Sequence, residues 1–357
     1  MGCAWTNVGP RISRNPSQPS KIEGGNVVRS WPKIAWCCTV VPFVFLFLLI
    51  SSVFAESDAE VGVSREDPGF TYGPASRDWV PSADYYFLEN SRVKMTVGTV
   101  RLETGNTEDY GDDASGNNRW GTLTPGHMMD AAPKFNMRDN LDYTEFVVRE
   151  QPHRTWWYPT EKLSMPDIRI QDQTIVASGE WDRDGKIKAQ VTYELVDDSP
   201  LIRMTVKLTN TGSSPFNGHL GYIIDPEETL EQQSYVPGWG WRGGQVSEYI
   251  TSGWNKNYIF NGIQDKYTGN TAHAIIWPDG QQPSALIPEG YITGAWFAVS
   301  LPAGESTERI IYHLPHNPGP AQESYRTAEL WADWVKNGMD PASIGEITGS
   351  VTDAAGQ

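Results

Sequence analysis

The chain has 357 residues, with 44 acidic against 28 basic side chains and a formal net charge of −16. A surface that negative repels phosphate backbones, and no lysine or arginine stripe offsets it, which argues against nucleic-acid binding. The three cysteines, Cys3, Cys37 and Cys38, all lie near the N-terminus, so the remainder has no disulfide framework, thiolate metal site or cysteine nucleophile.

Residues 1–33 carry Arg11, Arg14, Lys21, Arg29 and Lys33 against the single acid Glu23. An uncharged run follows from Ile34 to Ala55, with an apolar centre at Val40 to Ile50 and small exit residues at Val53 and Ala55. Basic flank, apolar centre and small-residue exit predict an export signal over residues 1–55. About 20 apolar residues also reach across a bilayer, so an uncleaved anchor helix stays open beside a cleaved signal. Either way, residues 56–357 are expected to be exported: secreted, periplasmic or on the outer face of a membrane, with membrane contact only through this segment.

Residues 56–84 are rich in Gly, Pro, Ser and Asp without a hydrophobic period and read as a linker. From Tyr85 the chain becomes a succession of strand signals. Arg92 to Glu103, Tyr143 to Arg149, Asp167 to Trp181 and Lys186 to Leu195 are the first four. Leu201 to Thr209 alternates fully, with Ile202, Met204, Val206 and Leu208 opposite Arg203, Thr205, Lys207 and Thr209. His219 to Ile224, His273 to Trp277, Tyr291 to Leu301 and Thr307 to Leu314 complete the series. Alternation with one polar face predicts antiparallel sheets, and about ten such strands predict an all-β fold, one large sandwich over residues 85–319. Pro320 then opens a helical pattern through Tyr325, Ala328, Leu330, Trp331, Trp334 and Val335, closed by Gly338; residues 320–344 read as a bracketing helix and linker. The final GEITGSVTDAAGQ, residues 345–357, reads as the opening strand and turn of a following β-sandwich domain. The chain is therefore expected to be the front of a longer protein, with downstream domains as its partners.

Two stretches carry a resemblance. VTYELVDDSPLIRMTVKLTNTGSSPFNGHLGYIIDPEE, from Val191 to Glu228, is similar to the central hairpins of the galactose mutarotase-like supersandwich, and YITGAWFAVSLPAGESTERIIYHL is similar to its closing hairpin. The C-terminal GSVTDAAGQ resembles the start of a carboxypeptidase regulatory-like domain. The first resemblance implies a large antiparallel β-supersandwich and a polysaccharide or glycan ligand, and it sets His219 where mutarotases hold a catalytic histidine. Such a site also implies an Asn-Arg, met by Asn118-Arg119, and a second histidine before Gly-Gly, which this chain lacks.

The residues themselves offer three candidate sites. His219 would act as a general acid with Asp225 or Glu227 as its carboxylate and Arg119 nearby, or else stand as a solvent-facing strand histidine. Tyr235-Val-Pro-Gly-Trp239-Gly-Trp241-Arg242, followed by Trp254, offers flat indole faces for a pyranose and a cation for hydroxyls or a carboxylate; the same rings equally suit plugging the sandwich edge. Asp109, Asp112 and Asp113 form an oxygen-rich loop of the kind that holds calcium, or a solvated acidic loop. No other cofactor is implied. The reading favoured at this stage is an exported, carbohydrate-contacting or non-catalytic sandwich module. A carbohydrate epimerase, lyase or glycosidase using His219 and a purely structural spacer are the alternatives.

Overall fold

The computed structural model describes residues 59–64, 85–98, 126–133, 141–152, 163–181, 186–197, 199–226, 232–243, 249–263, 272–290, 292–316 and 321–338. In chain order the first strands are β1 (Glu60–Ser64), β2 (Tyr85–Glu89), β3 (Val93–Gly98), β4 (His127–Pro133), β5 (Leu141–Arg149), β6 (Leu163–Gln171) and β7 (Thr174–Trp181). Then come β8 (Ile187–Leu195), β9 (Ile202–Asn210), β10 (Phe216–Pro226), β11 (Gln232–Val236), β12 (Gly240–Gly243) and β13 (Tyr258–Ile263). The last are β14 (Ala272–Ile276), β15 (Ala285–Pro288), β16 (Thr293–Leu301) and β17 (Ser306–His316), followed by the helix α1 (Ala321–Lys336).

These strands form three antiparallel sheets. One is β1-β2-β3-β4, a second is β15-β16-β10-β5, and the third has nine strands in the order β12-β11-β13-β14-β17-β9-β8-β7-β6. The all-β expectation holds, with one C-terminal helix. The alternation read in Leu201 to Thr209 is what the large sheet uses: Ile202, Met204, Val206 and Leu208 enter the main core, where Val191 of β8 lies opposite Val206 and Ile311 of β17 opposite Met204. From the facing sheet, Leu220, Tyr222, Ile224, Phe146, Ala295 and Phe297 close the same core. Burying each such side chain contributes roughly 1.5–3 kcal/mol.

The nine-stranded sheet is apolar on its other face as well. Tyr258, Phe260, Ala272, Ala274, Ile276 and Leu314 form a second core, which α1 covers with Ala328, Trp331, Ala332, Trp334 and Val335. The predicted bracket is therefore a packed layer of the sandwich. Among the described residues no helix is long and apolar enough to cross a membrane; the signal or anchor segment 1–55 and the expected following domain 345–357 lie outside them.

Several expectations change in detail. Asp167 to Trp181 is a hairpin: β6 and β7 are joined at Asp172-Gln173, with Asp172 at φ 54°. The turn has neither Gly nor Pro, and aspartate is among the few non-glycine residues that accept the left-handed region. Part of the segment read as linker is strand β1, in which Val61 lies opposite Leu88. The strands β2, β4, β11, β12, β13 and β15 were not foreseen; β12 and β15 are four residues each, too short for an alternation to register.

The core also holds a polar chain. The Tyr222 hydroxyl lies 2.9 Å from His313 Nδ1, and His313 Nε2 lies 3.1 Å from His273 Nδ1. Both imidazoles are fully buried. Burial, with His273 alongside, holds His313 well below the usual histidine range, so the folded protein keeps it neutral where the unfolded chain is protonated. Below about pH 6.5 the unfolded state binds the extra proton, so stability falls with falling pH, by at most about 1.4 kcal/mol per pH unit for this group. The thermal midpoint is expected to drop between pH 7 and pH 5.5, and the drop to shrink in His313→Gln. An equal pH dependence in that variant would contradict the assignment.

Candidate functional site

The indole-rich segment is the β11–β12 hairpin, and its rings divide between two tasks. Tyr235 lies opposite Trp241 across the ladder. Tyr235 stacks on Tyr325 of α1 with ring centroids 4.1 Å apart, and Trp241 meets Tyr235, Tyr325 and Phe260 edge-on at 5.4, 6.0 and 6.1 Å. These two rings anchor the hairpin to the helix. They follow the edge-plugging reading: both rings pack against the second core together with Tyr325 of the helix.

Trp239, at the hairpin turn, faces the other way. It is 44% exposed, among the few large apolar side chains that the described surface presents. Its amide bonds to the Val236 carbonyl at 2.9 Å, and its Nε1 donates to the Ser252 carbonyl at 2.9 Å. The Arg242 guanidinium lies 5.2 Å from the ring. Close backbone approach locks the turn to the 252–254 loop. Gly238 and Gly253 have φ of 90° and 89°, and a Cβ on Gly238 would meet the Gly253 carbonyl oxygen at 2.4 Å. Side chains there would both strain the backbone and push the indole off its anchor. Trp254, next in the loop, is half-buried against the main core; its Nε1 donates to Gln282 Oε1 at 3.3 Å, an oxygen shared with Trp277 Nε1 at 3.0 Å. Gln282 is in turn fixed by Asn257, bonded to Asp279. Satisfied N–H groups hold both indoles in place, Trp254 against the core and Trp239 toward solvent.

His219 belongs to a different place. It sits in β10 between Ala298 of β16 and Arg149 of β5, half-buried, on the outer face of the smaller sheet. An open cleft of about 490 Å³ lies over it, lined by Glu150, Asn217, Ser300, Thr307 and Arg309 among others. Arg309 Nη2 donates to the Ala298 carbonyl at 3.0 Å, and the Ser300 hydroxyl to Asn217 Oδ1 at 2.8 Å. The ring's own bond runs from Nδ1 to the Glu150 carbonyl at 3.2 Å, which makes Nδ1 the protonated nitrogen and Nε2 the acceptor. Desolvation lowers its pKa, partly opposed by that carbonyl.

The expected acid–base pairing of His219 with Asp225 is not formed. Asp225 lies six residues further along β10, and at about 3.3 Å per residue the two backbones stand roughly 20 Å apart. The extended strand that holds His219 also stretches the segment that was to bring its partner back. Arg119, Glu227, Asp109, Asp112 and Asp113 lie outside the described residues, and the calcium reading with them. Among the described residues no group of three His, Cys, Asp or Glu side chains is placed to hold a metal ion. The His219 cleft and the indole hairpin share no lining residue, so the sequence-derived candidates form two groups. The residues that hold Trp239 and Trp254, Ser252, Gly253 and Gln282, carry no sequence signal beyond a glycine beside a tryptophan.

No protein-family model matches this chain, and no curated protein matches it. Among solved structures it is similar to a TPR-domain containing protein from Parabacteroides distasonis, at 12% identity and a TM-score of 0.44, over 65% of this chain and 47% of that one. The chain thus spans about half the length of that protein. A galactose mutarotase related enzyme from Lactobacillus acidophilus is similar at 8% identity and a TM-score of 0.38, over 65% of this chain and 97% of that one. A putative aldose 1-epimerase from Klebsiella pneumoniae is similar at 10% identity and a TM-score of 0.40, over 78% and 88%.

The environment of His219 predicts a neutral imidazole with its proton on Nδ1 at pH 7 and a titration midpoint below the ordinary 6.5. Nitrogen-15 NMR of the ring reads both. A midpoint at or above 6.5, or a proton on Nε2, would show that the carbonyl contact does not set the ring.

Proposed function

We propose that this chain is an exported, non-catalytic β-sandwich module of galactose mutarotase-like architecture that contacts carbohydrate through the Trp239 hairpin. The observation that carries this reading is Trp239 itself: an indole 44% exposed, yet fixed by its N–H to the Ser252 carbonyl and by the Gly238–Gly253 contact. A pyranose presents a flat C–H face, and a ring already immobilised loses little rotamer freedom when the sugar stacks on it. An unanchored surface tryptophan would forfeit part of that gain. The sequence resemblance to the supersandwich points to the same ligand class, and the basic and apolar N-terminal segment supports export.

The reading gives the remaining elements plain tasks. With α1 packed on the large sheet, whatever follows residue 338 starts from a fixed orientation, which suits a module that positions a downstream domain. His219 serves the smaller sheet by bonding the Glu150 carbonyl at its rim.

Two substitutions separate recognition from packing. Trp239→Ala is expected to abolish retardation in affinity gels containing the bound polysaccharide and to change stability by less than about 1 kcal/mol. Trp241→Ala is expected to cost about 2 kcal/mol or more, because it opens the second core. Polysaccharide binding that survives Trp239→Ala, or a chain that retards on no polysaccharide, would overturn the proposal.

A further inference from the structure

We infer that the sugar seated on Trp239 carries one isolated carboxylate, received by Arg242; this rests on the reading of Trp239 as a carbohydrate platform. The starting observation is a guanidinium that, among the described residues, meets an exposed indole and no carboxylate. Lys94, Arg169, Lys188, Arg203 and Lys256 each meet a carboxylate, and Arg309 donates to the Ala298 carbonyl. The Arg242 guanidinium meets no carboxylate among the described residues. Its contact is the Trp239 ring at 5.2 Å. In a chain with a net charge of −16, an arginine left to an indole beside an exposed platform stands out.

Geometry narrows what it can receive. Arg242 lies opposite Ser234 on β12, next to Trp241, and side chains alternate along a strand. It therefore projects away from the helix-facing Trp241 and toward the Trp239 side of the hairpin. Arg242 Nε is shut off from solvent with no acceptor among the described residues, which leaves the two terminal nitrogens as the donors for a ligand. Paired terminal N–H groups match the two oxygens of a carboxylate, and stacking on an indole keeps a guanidinium both charged and oriented. A hydroxyl would use one of these donors, whereas a carboxylate uses both.

The overall charge sets the number of carboxylates. Each further negative group on a ligand meets the repulsion of the whole acidic surface, while Arg242 is already engaged by the first. A densely charged polyuronate or sulfated polymer is thus disfavoured, and a largely neutral glycan with single uronic acid groups is favoured. A ligand of this kind also explains how an acidic protein gains from a lone arginine at its recognition rim.

The test is a panel of oligosaccharides on several backbones, each in mono-uronyl, carboxyl-reduced and multiply uronylated form, titrated against the full chain. The mono-uronyl member is expected to bind about tenfold more tightly than its carboxyl-reduced counterpart, the scale of a charge-assisted hydrogen-bonded pair. Further carboxylates should give no added affinity. Arg242→Gln should bind the acid and reduced forms equally, with the remaining affinity still lost on adding Trp239→Ala, and an unchanged circular dichroism spectrum and thermal midpoint show that the variant is folded. Equal binding of acid and reduced forms, with both lost in Trp239→Ala, would overturn this inference and leave the platform reading intact. Affinity that climbs with each added carboxylate would overturn it as well. Absence of any Trp239-dependent binding would overturn both.

Discussion

A nine-stranded sheet with two apolar faces cannot leave either one in water, and this constraint organises the molecule. One face meets the smaller sheets. The other is buried by α1, whose Trp331 and Trp334 lie over Tyr258, Phe260 and Ile276. Uncovered, that face would be an association surface. Lys256 adds a surface clamp, reaching Glu329 at 3.2 Å and Asp333 at 3.0 Å, but exposed ion pairs of this kind contribute at most about 1 kcal/mol. The aromatic layer does the holding.

The same layer fixes the proposed site. Tyr235 and Trp241 are committed to Tyr325 and Phe260, which fixes the β11–β12 hairpin against the helix, while its turn residue Trp239 is exposed. The 252–254 loop then holds the indole from the side. The proposed recognition would depend on packing at one remove, core side chains holding the hairpin that carries a surface side chain. The polar chain Tyr222–His313–His273 works differently, since it joins the facing sheets through hydrogen bonds that only neutral imidazoles make without placing charge in the core.

Much of the fold was legible because alternation is a local signal. Ile202 to Leu208 and Ile187 to Tyr193 announce a half-buried strand by residue type alone. The turn at Asp172 was not legible, since no glycine or proline marks it within Gln171-Asp-Gln-Thr174. Nor was the second apolar face, because β14 reads Ala-His-Ala-Ile-Ile, a pattern that gives no hint of which side is covered. At the site, tryptophan and glycine in one segment marked the hairpin, but the separate fates of Trp239 and Trp241 were decided by a helix about eighty residues away in sequence. The His219 pairing failed for a related reason: residues close in sequence are far apart once the strand is extended.

The central claim is that packing presents Trp239 to solvent in a fixed pose while Trp241 is taken into the core. Solvent paramagnetic relaxation of the assigned indole resonances, with hydrogen exchange of their N–H groups, measures it directly. Trp239 should show strongly broadened ring protons together with an N–H that exchanges slowly, and Trp241 should show little broadening. Equal broadening of both rings, or rapid exchange at the Trp239 N–H, would contradict the account.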